Sequence, residues 1–170
     1  MPSKITRITL VSALLTLSSL TSQANEGVIS SIETRSQQLT DLSDLIWDLA
    51  EVGYQETRSS EALKSALSAE GFSIESGVAD IPTAFVASYG SGEPVIAVMG
   101  EFDALPGISQ AAVPFEQKIE GKNAAQACGH HLFGAGSAGA AIAVKEWLEQ
   151  GREVTNQYPG MDEETHGVKE

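Results

Sequence analysis

Pro94-Val95-Ile96-Ala97-Val98-Met99 runs straight into Gly100-Glu101-Phe102-Asp103-Ala104-Leu105-Pro106. The first run has no polar side chain. A half-exposed strand would alternate, so this run reads as a strand covered on both faces. Strands of that kind lie in sheets sandwiched between helices, which makes the chain α/β. The acidic residues that follow then stand at the carboxyl edge of the sheet, where open α/β sheets place their sites. Glu101 and Asp103 alternate around Phe102, so their side chains can point to one side. Carboxylates placed there can ligate a metal or orient an imidazole that does. A solvated loop is the competing reading.

N-terminal to this run, Phe72-Ser73-Ile74-Glu75 alternates with period two and Ala84-Phe85-Val86-Ala87-Ser88-Tyr89 reads as a second strand, followed by a Gly90-Ser91-Gly92 turn. Two amphipathic helices precede them. The first, within Gly27 to Val52, carries Ile32, Leu39, Leu42, Ile46 and Leu49 on one face and Asp41, Asp44, Asp48 and Glu51 on the other, with Gly53 as its stop. The second runs from about Arg58 to Ala69, turns Ala62, Leu63, Ala66 and Leu67 inward, and stops at Glu70-Gly71.

C-terminal to the run, Gly107 to Ala125 has no period and reads as a long loop. Then comes Gln126-Ala127-Cys128-Gly129-His130-His131-Leu132-Phe133-Gly134, which holds the only cysteine and two of the three histidines. A helix follows, to Gln150. Its early Gly134, Gly136 and Gly139 weaken it by propensity, and together with Ala138 they permit close packing against a sheet. The start of a helix favours a thiolate, the form in which cysteine ligates metal. Cys128 and His130 are therefore candidate ligands for a transition metal. A structural thiol beside an unrelated histidine is the alternative. His131 reads either as a group behind the ligands or as a surface histidine. A Cys/His nucleophilic hydrolase fits less well, because Cys128 and His130 are too close in sequence for its usual arrangement.

The 170 residues, 42% of them apolar, suit one domain with a real core. Lys4, Arg7, the apolar run Ile8 to Leu20 and the small-residue exit Ser22-Gln23-Ala24 read as a secretory signal peptide over residues 1–24. The apolar run is shorter than the ~20 residues a span requires. The mature chain is thus expected to be periplasmic or secreted, without stable membrane insertion. A formal charge of −13 repels phosphate backbones and argues against a nucleic-acid partner. One cysteine in an exported chain makes no internal disulfide; a buried thiol, an intermolecular bridge and a metal ligand stay open. Near the end, Glu163-Glu164 can act as a hydrolytic pair, one carboxylate taking a proton from water while its neighbour ligates. A solvated acidic tail is the other reading.

Four strings share a further property. Ile46 to Glu56, Gly77 to Gly92, Val98 to Gly107 and Gln126 to Gly134 resemble, in order, the metal-dependent aminoacylase/carboxypeptidase amidohydrolases (zinc peptidase family twenty type). Within that family they resemble the aminobenzoyl-glutamate-utilisation protein B-like branch. The likeness runs from about Leu42 to Gln150. It implies a zinc-exopeptidase (phosphorylase/hydrolase-like) catalytic domain, with a mixed sheet flanked by helices and a lid or dimerisation domain that this chain lacks. It implies a homodimer and two divalent ions, zinc or manganese. The implied activity is hydrolysis of amide bonds in small N-acyl or N-aroyl amino acids or peptides. By this resemblance Cys128, His130 and Glu164 are metal ligands, Asp103 supports the metal centre and Glu163 is the general base.

The sequence also departs from the family pattern. Gln126 stands where the family usually has histidine, and His131 where it has Asp or Asn. The segment before the glutamates, Thr155-Asn156-Gln157-Tyr158-Pro159-Gly160, is polar, and relatives are much longer. The expected organisation is a signal peptide over 1–24, the N-terminal part of the catalytic domain over 25–152, and a degraded or truncated tail over 153–170. Hydrolysis is accordingly expected to be impaired. The alternative is a non-catalytic remnant or metal-binding module.

Overall fold

The computed structural model describes residues 26–151. The expected signal peptide over residues 1–24 and the Glu163–Glu164 pair lie outside the described residues. Helical residues 26–34 lead into helix α1 (Ser36–Leu49), followed by α2 (Thr57–Ala69). Strand β1 (Ser73–Ser76) pairs antiparallel with β2 (Phe85–Ser88), Ser73 opposite Ser88 and Ser76 opposite Phe85. Two-residue strands β3 (Leu105–Pro106) and β4 (Ala124–Ala125) form a second antiparallel pair, and α3 (His130–Glu149) closes the order. The chain is therefore α/β in the broad sense of helices combined with small antiparallel sheets. None of the described helices is long and apolar enough to cross a membrane.

The helix ends follow from local chemistry. α1 stops three residues before the expected Gly53, because Ala50 itself takes the left-handed conformation (φ 44°) and donates its N–H to the Ile46 carbonyl. Glu51 then reaches forward to the free amides that open α2. Its carboxylate accepts from the N–H groups of Arg58 (3.1 Å) and Ser59 (2.8 Å) and from the Ser59 hydroxyl (2.8 Å). Unsatisfied amides and the positive end of the helix dipole both favour an acid there. α2 ends as its sequence indicates. Gly71 sits at φ 88°, and the N–H groups of Gly71 and Phe72 close back on the carbonyls of Ser68 and Leu67, as in a Schellman motif.

The core unites three helices and one hairpin. Ile46 of α1, Leu63 and Leu67 of α2, Phe72, and Ala138 and Ile142 of α3 are buried together, with Leu42, Ile74, Phe85, Ala87 and Phe102 packed against them. The small residues of α3 fit closely against α1 and residues 100–102. A Cβ added at Gly139 would lie 2.7 Å from Leu39 Cδ1, and one at Gly134 3.1 Å from the Glu101 carbonyl.

Two sequence expectations require correction. Pro94–Met99 forms no strand, and Val95 and Met99 are 79% and 73% exposed. A doubly covered strand needs neighbours on both edges and layers on both faces, and residues 26–151 supply neither. The mixed sheet is accordingly absent among the described residues; only one isolated parallel bridge, Val52 to Ala104, joins distant segments in that sense. Of the expected loop from Gly107 to Ala125, residues 107–123 connect β3 to β4, and Ala124–Ala125 form β4 itself. The Gln110 side chain bridges it internally, accepting from the Gln117 N–H and donating to the carbonyls of Ala111 and Phe115.

Candidate metal centre

Gly129 precedes α3 at φ 80°, a conformation that glycine adopts without a Cβ penalty, and the helix begins at His130. The imidazole of His130 faces residues 101–103. Its Nδ1 lies 2.7 Å from Asp103 Oδ1 and its Nε2 lies 3.1 Å from Glu101 Oε2. One nitrogen and two carboxylate oxygens, offered by Glu101, Asp103 and His130, all lie within 4.8 Å of one another. The side chains are 51%, 34% and 23% exposed respectively, so the cluster opens to solvent on the Glu101 side.

Residues 101–103 are held in place by several ties. The Ala104 N–H donates to the Glu51 carbonyl at 2.8 Å, fixing the chain just beyond Asp103. Gln126 is buried; its amide donates to the Phe102 carbonyl (3.2 Å) while its oxygen accepts from the His131 N–H (3.2 Å). One side chain thereby locks the acidic segment to the first turn of α3. Ser137 donates to the Met99 carbonyl at 2.6 Å, and Gly134 admits the Glu101 backbone and the Phe102 side chain. A buried amide that makes two hydrogen bonds fixes geometry, since leaving either unmade costs about 1–3 kcal/mol.

A neutral imidazole has one N–H, and here both ring nitrogens face an acid. With its N–H on Nδ1 directed at Asp103, the ring keeps the Nε2 lone pair on the same side as the Glu101 carboxylate, as two metal donors would stand. Imidazole with carboxylate suits zinc or manganese, so the residues fit a divalent ion.

Of the sequence candidates, the fold brings Asp103 and His130 together and adds Glu101, whose ligand role the sequence left open. Cys128 is exposed and stands outside this three-residue group. Glu163 and Glu164 lie outside the described residues. His131 turns away from the cluster, with its ring edge-on to Trp47 at 5.0 Å and its Nδ1 buried without a partner among the described residues. Burial holds the His131 pKa below the ordinary imidazole value, opposed by the charge of Asp44. The bridging role of Gln126 escaped sequence reasoning. No spacing signal marks a buried amide, although its place beside Cys128-Gly129-His130 and its departure from the family histidine were visible.

No family model matches the chain. Over 139 residues it is 45% identical to one of the subunits of p-aminobenzoyl-glutamate hydrolase of Escherichia coli (strain K12). The alignment covers 80% of this chain and 29% of that protein, so the chain spans under a third of its relative's length.

Proposed function

We propose that this chain, which belongs to the aminobenzoyl-glutamate-utilisation protein B-like branch of the amidohydrolases, carries one side of a metal-assisted amide-hydrolysing site. The observation that carries the reading is His130 set between Asp103 and Glu101 at the start of α3. The substrate class is a small N-acyl or N-aroyl amino acid; the relative's name specifies p-aminobenzoyl-glutamate.

The roles follow from chemistry. Asp103 accepts from Nδ1 and so directs Nε2 of His130 outward as a ligand. Cys128, just ahead of the helix, and Glu164 complete the protein ligands in this reading. Glu163 takes the proton from the attacking water and returns it to the leaving amine. A bound zinc or manganese supplies Lewis-acid polarisation of the amide carbonyl and of that water. In this reading residues 1–24 direct export to the periplasm or beyond.

A second reading is a metal-binding module without hydrolysis. The self-contained Glu101, Asp103 and His130 group, which excludes Cys128, favours it. Titration calorimetry with Zn²⁺ and Mn²⁺ tests the metal in both readings, and chelator-sensitive release of p-aminobenzoate from p-aminobenzoyl-glutamate separates them. Binding lost in His130→Ala, with chelator-sensitive hydrolysis by the wild type, supports the hydrolase. Binding without hydrolysis leaves the module. Absence of binding to either metal removes both.

A further inference from the structure

Thr40, Ser43 and Asp44 stand at i, i+3 and i+4 on α1, so their side-chain oxygens share one face of the helix. α3 brings Leu132, Ala135 and Gly136 against that face, and with Leu39 these residues line a groove of 240 Å³. The lining holds no basic residue. Ser43 is 6% exposed, and its Oγ is buried without a hydrogen-bond partner among the described residues. Buried hydroxyls are nearly always bonded, so an orphan of this kind points to a missing partner. Asp44 makes no ion pair or hydrogen bond among the described residues, although its charge acts on the His131 ring. Gly136 leaves room in the groove, since a Cβ added there meets no atom within 4 Å.

We propose that the α1–α3 groove binds a small organic ammonium, a primary amine carried on a single ring or short apolar body. An ammonium has three N–H donors and no acceptor, which answers three oxygens on one helix face. Rotation about χ1 turns the Ser43 hydroxyl to such a donor. The carbon body covers Leu39, Ala135 and Leu132, the last of which is 63% exposed. Size agrees, because a cavity of about 150 Å³ already holds benzene. An organic anion meets the Asp44 carboxylate and a chain of formal charge −13. A bare divalent ion finds one carboxylate and an apolar wall, short of the oxygen shell it needs. The groove shares no residue with the Glu101, Asp103 and His130 cluster.

The test is a two-dimensional amide NMR titration of the full 170-residue chain with benzylamine, which is an ammonium at pH 7, in chelator so that metal plays no part. The expected result is saturable binding with Kd near ~1 mM, the range for a ligand this small, read at residues 39–44 and 132–136. Benzyl alcohol, the same shape without the charge, should bind ~10-fold more weakly, and benzoate should leave these amides unmoved. Asp44→Asn should weaken benzylamine ~10-fold and bring it level with benzyl alcohol. Gly136→Leu should fill the groove and abolish binding while the melting temperature holds, because the added Cβ has open space and the helix loses a glycine. Shifts that fail to saturate, that centre on residues 101–103, that benzoate reproduces, or that survive Asp44→Asn undiminished would overturn the proposal.

Discussion

The two ends of α3 each carry a polar cluster, and the clusters differ in charge balance. At the C-terminal end, Arg35 bonds both Glu70 and Glu146. Lys145 lies 3.3 Å from Glu149 and 4.0 Å from Glu70, and 5.3 Å above the Tyr89 ring, while Tyr89 donates to Glu149 at 2.7 Å. Each acid there has a basic group beside it. At the N-terminal end, Glu101 and Asp103 share one imidazole. The helix start contributes only about half a positive charge there. Two cations shared among three acids fasten elements together, whereas two acids around a single imidazole attract a further cation. This imbalance distinguishes a candidate site from a structural ion-pair network on the same helix.

The sharpest way to break the comparison is to remove the imidazole. His130→Ala should weaken Zn²⁺ binding by ~100-fold or more, since it removes the nitrogen donor. Asp103→Asn should cost ~10–100-fold, the usual range for a group that orients a ligating histidine. Glu146→Gln at the other end should leave the affinity unchanged. Calorimetry on the three variants decides the matter, and equal affinities would mean that the two clusters do not differ in kind. Cys128→Ala refines the ligand set in the same experiment. A weaker affinity puts the thiolate among the ligands; an unchanged one confines the site to Glu101, Asp103 and His130.

Between the two ends, α3 depends on its small residues. Gly139→Val forces a branched side chain into Leu39, where even a Cβ would approach to 2.7 Å. Overpacking of that kind costs about 1–3 kcal/mol. A lower denaturation midpoint with unchanged metal affinity is expected, and chemical denaturation measures it. A Gly139→Val variant that lost metal affinity while keeping its stability would show that the site reads the packing of the whole helix.

Some of this was legible in the sequence because it is local. The periodicity of Leu39, Leu42 and Ile46 marks the buried face of α1, and the Phe72 to Glu75 alternation marks the hairpin. The glycine of the α2 stop is equally plain. The run 94–99 carries the pattern of a buried strand, but that pattern encodes neighbours, and none lies within residues 26–151. The pairing of His130 with Asp103 spans 27 positions, so spacing alone gives no hint of it and the family resemblance had to supply it. Cys128 is exposed and stands outside the Glu101, Asp103 and His130 group, so its adjacency to His130 in sequence leaves its ligand role to the Cys128→Ala measurement.

The smallest effect belongs to the ion-paired cluster at the C-terminal end and is read through pH. Hydrogen bonding from Ser31, then the bond and charge of Arg35, hold the Glu146 pKa below the usual carboxylate value against an opposing burial penalty. The Glu149 pKa is also lowered, chiefly by the Tyr89 hydroxyl. A depressed folded pKa means that the unfolded chain binds protons first as pH falls. The stabilisation is therefore complete above the unfolded glutamate value of about 4.3 and is lost as pH drops through the lower folded value. Thermal melts should be flat with respect to this cluster above about pH 5 and fall below it. Arg35→Met removes the central cation; it should lower stability at neutral pH by about 1 kcal/mol or less, because the pair is partly open to solvent. The same substitution should shrink the acid-induced fall, since Glu146 then titrates nearer its ordinary value. An acid profile unchanged by Arg35→Met would show that Ser31 alone holds Glu146 charged, and the network at this end would reduce to a hydrogen bond with ion pairs around it.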